Sequence, residues 1–126
     1  MGTDFDAQIE LGVMIETPAA AIMSAEIARE VDFFSVGTND LTQYTLAADR
    51  QNPLVSHIRE ANTEPILRLI EYATKRIHES GGWIGICGEL AADFRLTQRF
   101  ADMGIDELSV SVPYLAGLRQ QICECN

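Results

Sequence analysis

Apolar residues form four short runs along the chain, and each run is followed by a stretch in which apolar residues recur at helical spacing. The runs lie at residues 11–15, 33–36 and 83–86 and at the alternating positions Leu108, Val110 and Val112. The first three are almost continuously apolar, which is typical of parallel strands covered on both faces. The pattern therefore predicts an α/β fold made of about four βα units.

The predicted helices have recognisable ends. Thr17 followed by Pro18 is a typical helix start, because threonine can cap free N–H groups and proline has no N–H to leave unpaired. The strongest helix is expected to begin after Thr63, as its N-cap, and to end at Gly81 and Gly82. Its predicted apolar face comprises Ile66, Leu69, Ile70, Ala73 and Ile77.

Residues 38–62 separate the second predicted strand from this helix, and they are too many for an ordinary βα connection. Long loops in compact domains commonly carry function, so this segment is predicted to be a functional loop. The length of 126 residues predicts a single domain over residues 1–126. A βαβα order fits a doubly wound sheet or part of a (β/α)8 barrel, and a whole barrel needs about 250 residues.

Composition narrows the class of protein. The chain has 19 Asp+Glu against 9 Lys+Arg, a formal net charge of −10, which argues against a general nucleic-acid binder and against adhesion to an anionic membrane. No run approaches the ~18 apolar residues of a membrane span. Any disulfide framework would leave one of the three cysteines unpaired. We therefore predict reduced thiols, a cytoplasmic location, no membrane insertion and no nucleic-acid partner.

Polar residues follow three of the predicted strands, where the ligand face of a parallel α/β fold lies. Glu16 follows the first, Asn39 and Asp40 follow the second, and Cys87 follows the third. Mg²⁺ prefers oxygen ligands and typically takes one or two carboxylates, so Glu16 and Asp40 suit a magnesium site. The alternative is a solvated glutamate and a helix-capping aspartate.

Two further observations concern substrate chemistry. The planar guanidinium of Arg50 suits a phosphate group, and its alternative role is a surface ion pair. Cys87 ends an apolar strand beside Gly88 and Glu89, and a thiol there can donate a proton or act as a nucleophile. The alternative is a buried thiol that packs as a small apolar residue.

Three segments resemble the sequence blocks of phosphoenolpyruvate-utilising enzymes and occur in the family's order. Residues 32–50 read DFFSVGTNDLTQYTLAADR, residues 11–18 read LGVMIETP and residues 86–91 read ICGELA. The longest block is the most specific, because it holds several polar anchors at fixed spacing. Its last five residues favour enzyme I of the bacterial sugar phosphotransferase system over phosphoenolpyruvate synthase and pyruvate phosphate dikinase.

The resemblance implies both a fold and a set of residue roles. The fold would be the second half of a phosphoenolpyruvate/pyruvate-type TIM (β/α)8 barrel. Glu16 and Asp40 match the family's Mg²⁺ ligands, with Mn²⁺ as the alternative ion. Asn39, Asp40 and Arg50 match the substrate-binding positions, and Cys87 matches the acid that protonates the enolate carbon to give pyruvate.

The resemblance also implies that the chain is one part of a longer phosphotransferase, which moves a phosphoryl group from phosphoenolpyruvate to a histidine. The expected partners are phosphoenolpyruvate and pyruvate, the upstream half of the barrel and the phosphohistidine domain of the parent protein. Because a half-barrel has open strand edges, we also expect a homo-oligomer. The alternative is a catalytically silent, self-associating half-barrel, and the chain alone is expected to be inactive in phosphotransfer.

Overall fold

The computed structural model describes residues 5–125, in which four strands form a parallel sheet. The strands are β1 (Gly12–Ile15), β2 (Phe33–Gly37), β3 (Trp83–Cys87) and β4 (Glu107–Leu108), side by side in sequence order. A doubly wound sheet reverses its strand order part-way across, and this sheet does not. The predicted α/β class is confirmed, and the strand order is consistent with a partial α/β barrel.

Helices occupy the connections between the strands, as parallel pairing requires. They are α1 (Pro18–Ile22), α2 (Ser24–Ile27), α3 (Thr38–Leu46), α4 (Ser56–Ala61), α5 (Glu64–Glu79) and α6 (Thr97–Met103). A further helix, α7 (Val112–Glu124), follows β4. Short 3-10 turns lie at Pro53–Val55, Glu89–Ala92 and Phe94–Leu96. The long connection between β2 and β3 therefore contains three helices, α3, α4 and α5.

The core lies between the sheet and α5. One face of this helix is buried against the sheet, as its apolar spacing predicts. The buried side chains that meet here are Ile66, Ile70, Ala73 and Ile77 of α5 and Phe34, Val36, Ile84 and Ile86 of the strands. Burying each isoleucine contributes about 1.5–3 kcal/mol, so this contact fixes the sheet on which the polar strand ends are carried.

The opposite side of the sheet, called here the open face, carries the residues that alternate with the buried ones. These are Met14, Phe33, Ser35, Trp83 and Cys87, of which Met14 is 48% exposed and the others are half-buried. The rings of Phe33 and Trp83 stack with their centroids 4.5 Å apart. The open face thus has an aromatic end, at the start of the strands, and a polar end where the strands finish.

Helix ends agree with the sequence in two places and differ in one. Thr17 Oγ1 accepts the Ala20 N–H at 3.1 Å, as predicted for the cap of α1. Gly81, at φ +83°, donates its N–H to the carbonyl of His78 after the end of α5. The predicted capping by Thr63 is wrong: this residue already has helical backbone angles and makes no side-chain cap bond.

Two predicted boundaries are also wrong. Val112 is the first residue of α7 rather than the last of a strand, because Pro113 fixes a helical start and β4 ends at Leu108. Residues 38–62 are largely helical rather than a loop, since α3 begins at Thr38 directly after β2. Leu41 of α3 is fully buried, so packing against the core holds this helix in place.

Candidate functional site

The strand register places Glu16, Gly37 and Cys87 in one row. Ile15 pairs with Val36, and Gly37 pairs with Cys87. Glu16, the next residue after Ile15, therefore lies beside Gly37. Since neighbouring strands are about 4.8 Å apart, the glutamate and the cysteine flank the glycine at the carboxyl end of the open face.

Gly37 provides the space that the Glu16 side chain occupies. A Cβ atom on Gly37 would lie 2.8 Å from both Cγ and Oε1 of Glu16 and 3.2 Å from Sδ of Met14. The backbone of Gly37, at φ −82°, is accessible to any residue. Glycine is required here for close approach, because it lets the Glu16 carboxylate lie over β2 next to the start of α3.

The first turn of α3 is fixed to the end of β3 by two hydrogen bonds. Thr38 Oγ1 donates to the carbonyl oxygen of Cys87 at 2.8 Å, and the N–H of Glu89 donates to Asn39 Oδ1 at 3.0 Å. Gly88 makes the turn between them at φ +95°, where a Cβ would contact both Thr38 and Asn39. The side-chain NH₂ of Asn39 has no acceptor among residues 5–125 and is available to donate to a ligand.

The Cys87 thiol is half-buried on the same edge. Its Sγ donates to the carbonyl oxygen of Val36 at 3.4 Å, and Ser35 Oγ donates to Sγ at 4.0 Å. Among the described residues, no basic or cationic side chain forms a hydrogen bond with the sulfur. This environment suits a proton donor better than a thiolate nucleophile, which is normally generated beside a cation or a base.

The two predicted metal ligands have unpaired carboxylates. Glu16 and Asp40, both half-buried, make no hydrogen bond or ion pair with any residue in 5–125. Within those residues no group of three or more His, Cys, Asp or Glu side chains could hold a metal ion alone. Two carboxylates, with the remaining positions left to water and substrate oxygens, fit the ligand set of Mg²⁺.

Arg50 lies in the exposed segment after α3, and its backbone is held on both sides. Its N–H donates to Gln43 Oε1 at 2.9 Å, and its carbonyl oxygen accepts from Arg59 Nη1 at 3.3 Å. The Arg50 guanidinium contacts no partner in the described part of the chain. The structure therefore brings Glu16, Asn39, Asp40 and Cys87 to one edge, with Arg50 at its margin and its side chain unpaired.

A cavity of about 490 Å³ extends from this edge toward the end of β4. Its lining comprises Asn39, Gly88, Glu89, Ala92, Asp93, Ser109, Val110, Ser111 and Tyr114. Hydrogen bonds from Arg95 hold the pKa of the Asp93 carboxyl below its usual range, and the two side chains form an ion pair. The carboxylates of Glu16 and Asp40 at the same edge have no such partner among residues 5–125, so an anionic ligand there needs a cation beside it.

Sequence reasoning missed the polar groups after the fourth strand. Ser109 and Ser111 follow β4 and line the cavity. Polar residues just after the first three strands were predicted to form the site, and applying the same criterion to β4 identifies these two serines. Gln43 and Arg59 have no such signal, because their contacts depend on how separate segments pack.

Comparison with known proteins identifies the family of this chain. The sequence profile of the family described as PEP-utilising enzyme, PEP-binding domain, matches residues 1–126. The chain belongs to this family. The prediction made from residues 11–18, 32–50 and 86–91 is thereby confirmed.

Curated relatives of this PEP-binding domain are named phosphoenolpyruvate-protein phosphotransferase. The relative from Buchnera aphidicola subsp. Baizongia pistaciae is 48% identical over 120 residues, 95% of this chain and 21% of the relative. That from Haemophilus influenzae is 46% identical over 125 residues, 99% of this chain and 22% of the relative. That from Listeria monocytogenes is 46% identical over 121 residues, 96% of this chain and 21% of the relative. The chain thus spans about a fifth of the length of the curated relatives it matches.

These findings favour the enzyme I branch over the two other branches weighed from the sequence. The relatives are enzymes by name, and their identity to this PEP-binding domain extends over most of the chain. None of the helices in residues 5–125 has the length and apolar character needed to cross a membrane.

Proposed function

We propose that this PEP-binding domain holds phosphoenolpyruvate and Mg²⁺ at the carboxyl edge of its sheet, as part of a phosphotransferase. That enzyme moves the phosphoryl group from phosphoenolpyruvate to a histidine and releases pyruvate. The observation that carries the proposal is the row of Glu16, Gly37 and Cys87. It sets a carboxylate without a partner among residues 5–125 and a thiol on either side of a position without a side chain.

In this proposal the carboxylates of Glu16 and Asp40 hold Mg²⁺, or Mn²⁺ in its place. When bound, the ion neutralises charge on phosphate and enolate oxygens, which phosphoryl transfer requires. The NH₂ group of Asn39 donates to a substrate oxygen. The Arg50 guanidinium, unpaired in the described part of the chain, swings to the phosphate and supplies the positive charge that the acidic edge lacks.

Cys87 completes the chemistry after the phosphoryl group has left. The enolate of pyruvate must gain one proton at its methylene carbon to become pyruvate. The Cys87 thiol gives up its S–H proton, a C–H bond forms, and the thiolate takes a proton from water to restore the donor. General acid catalysis of this kind contributes roughly 10²–10⁴-fold to a rate.

The wider setting of the domain is also a proposal. The chain would form the second half of a TIM barrel in a cytoplasmic parent protein that supplies the first half and the phosphohistidine domain. Phosphotransfer needs those additional parts, so the chain alone is expected to be inactive in that reaction.

Proton exchange on pyruvate tests the proposal without a phosphoryl acceptor. By microscopic reversibility, the Cys87 thiolate should take a methyl proton from pyruvate and return a deuteron from D₂O. We expect the wild-type chain with Mg²⁺ to exchange the methyl signal, seen by proton NMR, roughly 10²-fold faster than Cys87→Ala. Cys123→Ala, which removes an exposed thiol on α7, is the matched control and should behave as wild type.

Two results would contradict the proposal. Equal exchange by wild type and Cys87→Ala would return Cys87 to the role of a packed thiol. Exchange that is indifferent to Mg²⁺ would remove the metal from the site.

We further propose that the chain self-associates through the open face and the two outer strands of its sheet. Met14 is 48% exposed there, and an uncovered parallel sheet invites pairing. Light scattering over a dilution series should show a dimer or larger species that dissociates as the protein is diluted. A monodisperse monomer with a cooperative melt at every concentration would contradict this expectation.

A further inference from the structure

Arg59 is unusual for an arginine on a short surface helix. It lies in α4, yet its side chain is only 16% exposed. Its Nη1 donates to the carbonyl oxygen of Arg50 at 3.3 Å, and its Nη2 donates to Glu89 Oε2 at 3.4 Å. One guanidinium thus joins the segment that carries Arg50 to the turn that follows Cys87.

The third nitrogen of this guanidinium is buried, and the described residues offer it no partner. Arg59 Nε has no acceptor among residues 5–125, although buried donors are nearly always paired. Burying Nε without a partner costs free energy. We attribute its retention to the contacts of Nη1 with Arg50 and of Nη2 with Glu89. The second contact continues into the site, because the backbone of Glu89 donates to the side chain of Asn39.

We propose that Arg59 is a positioning residue that fixes Arg50 relative to Cys87 and Asn39. This inference rests on the proposed function, in which Arg50 binds the phosphate of phosphoenolpyruvate. Gln43 holds the N–H of Arg50 and Arg59 holds its carbonyl oxygen, so the main chain at Arg50 is fixed from two sides. Both terminal nitrogens of Arg59 already donate to protein oxygens, so we assign it a role through Arg50 rather than on the substrate.

Loss of Arg59 should weaken substrate binding without changing metal binding. Without Arg59, the backbone at Arg50 loses one anchor and the guanidinium samples more positions, so binding of phosphoenolpyruvate should weaken. Glu16 and Asp40 lie on other elements and, among the described residues, form no hydrogen bond or ion pair with Arg59. Binding of Mn²⁺ should therefore be unchanged, whereas a general loss of structure would weaken both.

The experiment uses the Cys87 thiol as a reporter of an occupied site. In a Cys123→Ser/Cys125→Ser background, alkylation of Cys87 by iodoacetamide is followed by mass spectrometry with Mg²⁺ and increasing phosphoenolpyruvate. The concentration that halves the alkylation rate measures substrate affinity. Mn²⁺ affinity is measured separately by electron paramagnetic resonance.

Three methionine substitutions are compared with the parent. Arg59→Met should raise the half-protecting concentration roughly three- to tenfold, the effect of losing hydrogen bonds of ordinary strength, and should leave Mn²⁺ affinity unchanged. Arg50→Met should raise it more than Arg59→Met. Arg68→Met, which removes an exposed arginine of α5, is the matched control and should change neither quantity.

The outcomes distinguish this inference from the proposed function. Normal protection in Arg59→Met, together with loss of protection in Arg50→Met, overturns the positioning role and leaves the proposed function standing. Absence of protection in the parent chain overturns the proposed function. If Arg59→Met fails to fold, Glu89→Ala removes the exposed carboxylate that accepts from Arg59. A raised half-protecting concentration in this variant supports the inference, and an unchanged one overturns it.

Discussion

Replacing Gly37 by alanine tests the site at its most sensitive point. The new Cβ would lie 2.8 Å from Cγ and Oε1 of Glu16, whereas carbon atoms in contact prefer about 3.5–4.0 Å. The carboxylate must therefore move by roughly 0.7–1.2 Å. Metal–ligand distances tolerate only about ±0.2 Å, so a ligand displaced this far no longer meets the geometry that the proposed Mg²⁺ site requires.

The fold should survive this change. Moving a flexible glutamate off its preferred rotamer lowers the free energy of unfolding by about 0.5–1.5 kcal/mol. Replacing glycine by alanine at a compatible φ raises it by about 0.4–1 kcal/mol. The φ of Gly37, −82°, is compatible with alanine. We therefore expect an almost unchanged melting temperature and a loss of metal affinity of roughly 10–100-fold, as is typical when a ligand is misoriented.

Electron paramagnetic resonance of Mn²⁺ with phosphoenolpyruvate measures the affinity, and circular dichroism measures the melt. Gly85→Ala is the matched control, because its Cβ would lie 3.3 Å from Glu107 Cβ on the same face and touches no predicted ligand. Metal affinity in Gly37→Ala equal to that of the parent would show that Glu16 is not a metal ligand held over Gly37.

Two further predictions concern stability. Hydrogen bonds from Arg99 and then Arg68 lower the pKa of Glu64 from 4.5 to about 2, so its stabilising contribution is complete above pH 4.5 and is lost as the pH falls through about 2. Urea unfolding of Glu64→Gln should show a flatter pH dependence over that window, and an unchanged slope would contradict the assignment. Gly88→Ala combines a positive φ with a contact to Thr38 and should lower the free energy of unfolding by about 1–3 kcal/mol. Gly81→Ala, with a similar φ and open space, should cost less, and equal losses would show that the Thr38 contact is unimportant.

The sequence predicts best those features that depend on local patterning. The apolar spacing from Ile66 to Ile77 predicts α5, because one side of a long helix must face the core. The continuous apolar runs predict β1, β2 and β3 within about a residue of their observed bounds. Glu16, Asn39, Asp40 and Cys87 gather at one edge because parallel strands all end on the same side of the sheet.

Features that depend on distant contacts were not predictable. The start of α3 at Thr38 is coupled to the carbonyl of Cys87, 49 residues further along the chain, and local sequence does not reveal that bond. The Arg59 bridge likewise joins segments up to 30 residues apart. Gly37 is evident in the sequence, but the register of β1 and β2 is needed to show that the Glu16 side chain occupies the space beside it.

We propose that one metal–substrate site lies at the carboxyl edge of β1, β2 and β3. The most direct measurement is a map of paramagnetic broadening of backbone amide signals on adding Mn²⁺ with phosphoenolpyruvate. We predict that broadening is strongest around Glu16, Asp40 and Cys87 and weakest at the opposite end of the strands, around Trp83. Broadening centred on that opposite end, or spread over the acidic surface without a centre, would contradict the claim.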